Sequence, residues 1–246
     1  MANNSAQIRR YEPSDEKLVR FFIGRGALEP LAVANHRGYV HPLFLGVWFA
    51  LSTAMAQYLN WWPSQGQTAL RWLSPLPAFA CMAVPLMFFI DWFNRDSVED
   101  RAQGILRQQD AVDFAGYYSN APGSDLWVLE YGKTFVGLAA VDAGDRNGKD
   151  KKQAATEATI RHFYVDAPFR TTGIQDDLLA YAIHHTFDVN SNINVIKAEG
   201  NPLVPYFTKA LRSAGFAQGS NIGTIGLFKW QLHEMILERA QWEKAK

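Results

Sequence analysis

Apolar positions fall into three regimes along the chain. Ile8-Arg9-Arg10-Tyr11 reads as a short strand, and Glu12-Pro13-Ser14-Asp15 supplies a turn and helix cap before Leu18, Val19, Phe22 and Ile23, which share one helix face. Charge then disappears: between Arg37 and Arg71 there is no Asp, Glu, Lys or Arg, and a second charge-free stretch runs from Trp72 to Ile90. Each approaches the roughly 20 residues that a helix needs to cross a hydrocarbon core of about 30 Å. Trp61, Trp62, Trp72 and Trp92 bracket the stretches, as expected of rings that favour the headgroup layer, so residues 39–94 are expected to form a two-helix transmembrane hairpin. Arg25, Arg37, Arg95 and Arg101 flank its outer ends against one basic residue in the loop 63–71, which by the positive-inside tendency places both termini in the cytosol. Pro75, Pro77 and Pro85 interrupt the second stretch, and a hairpin that enters one leaflet, or one buried in a soluble protein, is the competing reading.

Mixed periods return after the hairpin. Ser97 is placed to cap a helix carrying Val98, Ile105 and Leu106, and Asp110 to cap one carrying Val112, Phe114, Tyr117 and Tyr118. Asp125 to Glu130 and Thr134 to Val141 flank Tyr131-Gly132-Lys133, a hairpin signature. Asp142 to Lys152 is loop by composition. A strand over Thr159–Asp166 then leads through Ala167-Pro168-Phe169 into Arg170-Thr171-Thr172-Gly173-Ile174 and a helix ending near Phe187. Asn194–Ala198 reads as a strand, Pro202–Ala214 as a helix ending at Gly215, Gly223–Trp230 as a strand, and Leu232–Lys246 as a helix with Leu232, Ile236 and Leu237 as its stripe. Residues 1–38 and 95–246 thus form one α/β domain interrupted by the hairpin.

Composition narrows the function. With 24 basic and 24 acidic residues the formal net charge is zero, which argues against a large nucleic-acid surface. Cys81 is the only cysteine, so intramolecular disulfides and cysteine metal clusters are excluded, and its apolar surroundings suit a small hydrophobe. A cleaved signal peptide is not expected, because the residues before Pro42 are polar and mixed in charge.

The turn between the Thr159 strand and the following helix has the ingredients of a pyrophosphate site. Gly173 lets main-chain N–H groups approach an anion, Arg170 adds a cation, and the helix N-terminus contributes partial positive charge. The spacing Arg170-x-x-Gly173-Ile174 resembles the acetyl-CoA loop of the GNAT superfamily of N-acetyltransferases, although Gln175 stands where that loop usually has a small residue. The element order of the whole soluble part resembles the same superfamily. More narrowly it resembles the camello-type branch, which includes N-acetylaspartate synthetase and cysteine-conjugate N-acetyltransferase and carries a hydrophobic hairpin at the point found here between Gly26 and Asp96. Ile8-Arg9-x-Tyr11-x-x-Ser14-Asp15, Arg25-Gly26 and His162-x-x-Val165-Asp166 support that resemblance.

The resemblance implies a mixed, mostly antiparallel sheet flanked by helices, with acetyl-CoA as co-substrate, no metal, and direct transfer to an amine. It places the pantetheine arm against the main chain of Phe163, Tyr164 and Val165, and the pyrophosphate over Arg170, Thr171, Thr172, Gly173 and Ile174, with the Gln175 amide in reach and Asn201 beside the cofactor. His162 is the first candidate base, since imidazole titrates near neutrality and the branch has histidine there. Glu157 and Glu199 are alternatives. Many members place a tyrosine four residues before the Gly-Phe pair, to protonate the departing thiolate; here Leu211 stands there, and Tyr206, more than one turn earlier, is the substitute. The implied setting is an integral protein of the endoplasmic reticulum with its acetyltransferase domain in the cytosol, in contact with the bilayer, with homo-oligomers left open. Leu211 and Gln175 keep a second reading in view, an acyl-CoA-binding sensor or scaffold subunit without turnover.

Overall fold

A computed structural model describes residues 6–63, 72–132, 134–144 and 156–245. Seven strands form one sheet: β1 (Ala6–Arg10), β2 (Asp125–Tyr131), β3 (Thr134–Asp142), β4 (Glu157–Val165), β5 (Val195–Gly200), β6 (Ala217–Ile225) and β7 (Trp230–Glu238), in the order β1-β2-β3-β4-β5-β7-β6. Only β4 and β5 are parallel neighbours; every other pair is antiparallel. Helices α1 (Glu16–Tyr39), α2 (Pro42–Tyr58), α3 (Leu76–Leu106), α4 (Gln109–Val112), α5 (Phe114–Tyr118), α6 (Ile174–Val189), α7 (Pro205–Ser213) and α8 (Arg239–Ala245) complete the order.

Strand alternation divides the core. Successive side chains of a strand face opposite sides, so Trp127 and Leu129 of β2 pack with α6 and α7, while Leu126 and Val128 pack with α1, α4 and α5. Phe22 stacks flat on Phe135 at 4.5 Å, closing the second layer. A third cluster, Ala34, Val98, Leu203, Ile225 and Leu232, joins α1 and α3 to the far end of the sheet.

The mixed sheet with helices on both faces agrees with the expected architecture, and several local expectations are corrected. Leu232–Lys246 is not one helix: Trp230–Glu238 is β7, and only Arg239–Ala245 is helical. The strand expected over Gly223–Trp230 is instead the end of β6, a tight turn at Gly226–Lys229 and the start of β7. Ser97 caps nothing, because α3 continues through it to Leu106. The helix expected from Pro202 begins at Pro205. Most of the expected loop Asp142–Lys152 and the loop between the charge-free stretches lie outside the described residues.

The two apolar stretches form an antiparallel pair, α2 and the first half of α3. Small buried residues, Ser52, Ala56 and Ala78, let the helices approach, and Trp48 Nε1 donates to the Phe79 carbonyl at 2.9 Å. The outward side chains are large and bare: Val84 is 70% and Trp92 63% exposed. By length and composition α3 is able to cross a membrane, and α1 with α2, bent by 55°, is a second candidate. Alone, the 17 residues of α2 rise about 25 Å.

A polar ladder ties the base of this hairpin to the sheet. Asn35 Nδ2 donates to Asp91 Oδ1 at 2.5 Å, and Asn94 Nδ2 donates to Asn35 Oδ1 at 2.9 Å. Asn94 Oδ1 then accepts from Leu227 N at 2.9 Å, and Ser97 Oγ from Gly226 N at 3.1 Å. Phe228 of the same turn stacks on His41 at 4.1 Å. Gly226 is required there: its φ is +73°, and a Cβ would meet the Trp230 ring at 2.6 Å. Asn94 is fully buried, so Asn94→Ala strands Leu227 N–H and the Asn35 amide. It is expected to cost about 1–3 kcal/mol, read as a lowered melting temperature of the detergent-solubilised protein; an unchanged melting temperature would show that the ladder does not hold the turn.

Candidate active site

The site begins with a break in strand pairing. β4 and β5 are in register from Glu157↔Val195 to Ile160↔Ala198, and the ladder stops there. β4 continues to Val165 held by β3 alone, from His162↔Ala140 to Val165↔Gly137. The two strands therefore part, and their unpaired ends border a cleft of about 410 Å³. Gly26 lets α1 close one wall, since a Cβ there would lie 3.0 Å from the Tyr164 ring. Phe163 stacks on Phe207 of α7 at 4.5 Å across the opening.

A bulge aims the polar groups. The β3–β4 register passes from Val141↔Ile160 to Ala140↔His162, leaving Arg161 as the extra residue. Two consecutive side chains then reach one acceptor, as bulges permit. Arg161 Nε lies 3.1 Å and His162 Nε2 2.7 Å from Asp110 Oδ2. Tyr118 Oη donates to the same oxygen at 2.9 Å, and Ala111 N to Oδ1 at 3.0 Å. Burial alone would raise the pKa of this carboxyl, but His162, Arg161 and Tyr118 outweigh it and hold the group ionised, well below the usual carboxylate range. Arg161 also reaches Gln108 at 2.6 Å, and Tyr117 Oη donates to Asp142 Oδ2 at 2.6 Å.

Of the residues expected at the site, His162, Phe163, Tyr164, Glu199, Asn201 and Tyr206 line this cleft. Glu199 is ion-paired with Arg101 of α3. Asn201 Oδ1 accepts from Leu203 N at 2.9 Å, shaping the entry to α7. Glu157 is not brought in: it sits where the ladder is still closed, paired with Lys197 at 2.6 Å. Tyr206 lies in the first turn of α7, where burial and the Glu29 carboxylate push its hydroxyl well above the ordinary tyrosine value and keep it protonated. Leu211 is fully buried in the core behind α6 and α7.

The glycine turn lies at the end of β4. A 3-10 helix over Ala167–Thr172 runs into Gly173, whose φ of +81° fits glycine and which precedes α6 directly. No atom lies within 4 Å of where a Gly173 Cβ would stand. That open space adjoins a helix start, where N–H groups ahead of the first intrahelical bonds suit a close anion, although Asp176 N already donates to the Gly173 carbonyl at 2.9 Å. Asp176 and Asp177 in the first turn offset part of the positive potential.

Arg170 is engaged elsewhere. Its Nε donates to the Val165 carbonyl at 2.7 Å, Nη2 to Glu29 Oε2 at 2.8 Å, and Nη1 to Glu29 Oε1, while the guanidinium carbon sits 3.7 Å from the Tyr206 ring centre. It clamps α1, the end of β4 and the start of α7 together, and its charge is largely answered by Glu29. An anion at the turn would therefore meet main-chain N–H groups first.

No protein-family model matches the chain, and no curated protein matches it by sequence. Solved structures do. An acetyltransferase of the GNAT family from Streptococcus pneumoniae superposes with a TM-score of 0.51 at 11% identity, covering 95% of this chain and 99% of that one. An acetyltransferase of the GNAT family from Staphylococcus aureus Mu50 gives 0.50 at 12% identity, covering 95% and 99%. At such identities the likeness is one of fold: the sheet and its flanking helices adopt the GNAT arrangement.

The clamp is testable without any ligand. Arg170→Ala, Glu29→Ala and the double variant should show a coupling of roughly 0.5–3 kcal/mol in unfolding free energy. Additive losses would mean that the two side chains do not support each other.

Proposed function

We propose that the chain is a membrane-anchored N-acetyltransferase that moves an acetyl group from acetyl-CoA to an amine by direct transfer. The observation that carries this reading is the parting of β4 from β5 beyond Ile160 and Ala198, which opens the cleft beside β4, while β4 itself runs on towards the Gly173 turn and the start of α6. Phe163 and Tyr164 would hold the pantetheine arm by main-chain hydrogen bonds, the Val165 carbonyl being taken by Arg170, and Thr171, Thr172, Gly173, Ile174 and Gln175 the pyrophosphate. Arg170 supports the slot through Glu29 and Val165.

Bound acetyl-CoA supplies an acetyl thioester: the amine nitrogen bonds to the carbonyl carbon, and the C–S bond breaks to release CoA thiolate. The extra proton on the amine passes to His162, which borders the cleft, or to Glu199 once freed from Arg101. The Tyr206 hydroxyl, protonated and bordering the same cleft, is the donor for the thiolate, in place of the tyrosine that Leu211 replaces. The histidine fits the camello-type branch.

The hairpin formed by α2 and α3 anchors the protein in the bilayer, in the endoplasmic reticulum with both termini and the acetyltransferase domain in the cytosol. The bare apolar faces of α2 and α3 support that reading. Along α3, Arg101 in the cleft wall stands about 15 Å beyond Asp91 at the hairpin base, so the site sits above the membrane surface and not within it.

Acetyl-CoA at about 100 times its Kd should stabilise the solubilised protein by about 2.7 kcal/mol, seen as a raised melting temperature, and mixed amines should release free CoA. Gly173→Val should remove most of the shift while leaving a folded protein; an undiminished shift would take the phosphate site away from this turn. In alkaline carbonate the full-length protein should stay with the membrane pellet. Release as a peripheral protein would defeat the anchor.

A further inference from the structure

We propose that Asp110 is a positioning residue that fixes the His162 ring with Nε2 carrying its hydrogen, so that Nδ1 is the nitrogen that takes the proton of the acceptor amine. This deepens the acetyltransferase reading of the same cleft and rests on it.

The observations are geometric. Asp110 is fully buried, yet both its oxygens accept: Oδ1 from Ala111 N, and Oδ2 from Tyr118 Oη, Arg161 Nε and His162 Nε2. An ionised carboxylate can only accept, so the ring nitrogen 2.7 Å from it must donate. The tautomer is thereby set by the partner of the other nitrogen. Nδ1 has no protein partner among the described residues and is not enclosed, and the ring borders the cleft. Asp110 also stands where positive charge develops when Nδ1 takes a proton, a position from which a fixed carboxylate stabilises that charge without reorganising.

Packing alone does not account for the arrangement. A buried Asp110 needs Arg161 and Tyr118 to offset its desolvation, and those two with Ala111 N already fill both oxygens. The bulge at Arg161 adds His162 to the same oxygen, and His162, which lines the cleft, is the member of the group that keeps a ring nitrogen without a protein partner among the described residues. Asparagine cannot replace the carboxylate. With its oxygen toward His162, its NH₂ meets Ala111 N–H; reversed, its NH₂ meets Arg161 Nε–H and the His162 Nε2–H, forcing the other tautomer.

Two measurements test this. In wild-type protein carrying ¹⁵N-labelled histidine, with His162 among the six histidines assigned by a His162→Gln difference spectrum, the neutral ring should show protonated Nε2 and bare Nδ1. The opposite tautomer overturns the proposal, whether or not Asp110→Asn folds. In the second, Asp110→Asn should lower kcat by roughly 10-fold or more while KM for acetyl-CoA stays within about two-fold, and adding it to His162→Ala should cost nothing further. A kcat within two-fold of wild type, or a double variant slowed by the product of the two single effects, overturns it. Wild-type protein that releases no CoA would instead defeat the acetyltransferase reading, and the tautomer would still decide the geometry of the pair.

Discussion

One pair of neighbouring strands governs the cleft end of this protein. β4 and β5 share a ladder only as far as Ile160 and Ala198, and beyond that point β4 has a neighbouring strand on one side alone, with Arg170 taking the Val165 carbonyl. Unpaired backbone groups beside a cleft are costly unless water or a ligand answers them. An extended, amide-bearing arm lying along β4 would answer them. The bulge at Arg161 sets polar side chains in the wall of that opening, and the turn at Gly173 starts α6 shortly after β4 ends.

The hairpin is part of the same structure and not a tether joined by a flexible link. α3 runs unbroken from its bare apolar half, past Asp91 and Asn94 at the hairpin base, to Arg101 in the cleft wall. α1 likewise contributes Gly26 to the cleft and Asn35 to the polar ladder. The ladder in turn grips the β6–β7 turn, and β7 pairs with β5 on the side away from β4. Hairpin and cleft therefore share two helices and one strand pair, so a disturbance at the hairpin base reaches the cleft through packed elements.

Local signals in the sequence were sufficient for what is local. The β2–β3 hairpin, the glycine turn and the apolar pair of helices each announce themselves within about twenty residues. Distant partners did not. Asp110 looked like a helix cap because its donors, Arg161 and His162, are 51 and 52 residues away. Arg170 looked like a free cation because Glu29, which takes its charge, is 141 residues away. β7 was read as a helix because Leu232, Ile236 and Leu237 fall on one helical stripe; in the strand Leu232, Met235 and Leu237 are buried, a spacing that departs from strict alternation where the β6–β7 register shifts. Ser97 was read as a start because charge returns there, yet Arg95 pairs with both Asp91 and Glu99 one turn away and the helix carries on.

Hydrogen–deuterium exchange of the solubilised protein, with and without saturating acetyl-CoA, tests the central claim most directly, because it reads the main-chain groups that the slot depends on. The account predicts slowed exchange in two separate segments, Phe163–Val165 on β4 and Gly173–Gln175 at the start of α6. Binding that leaves both segments unchanged would contradict it.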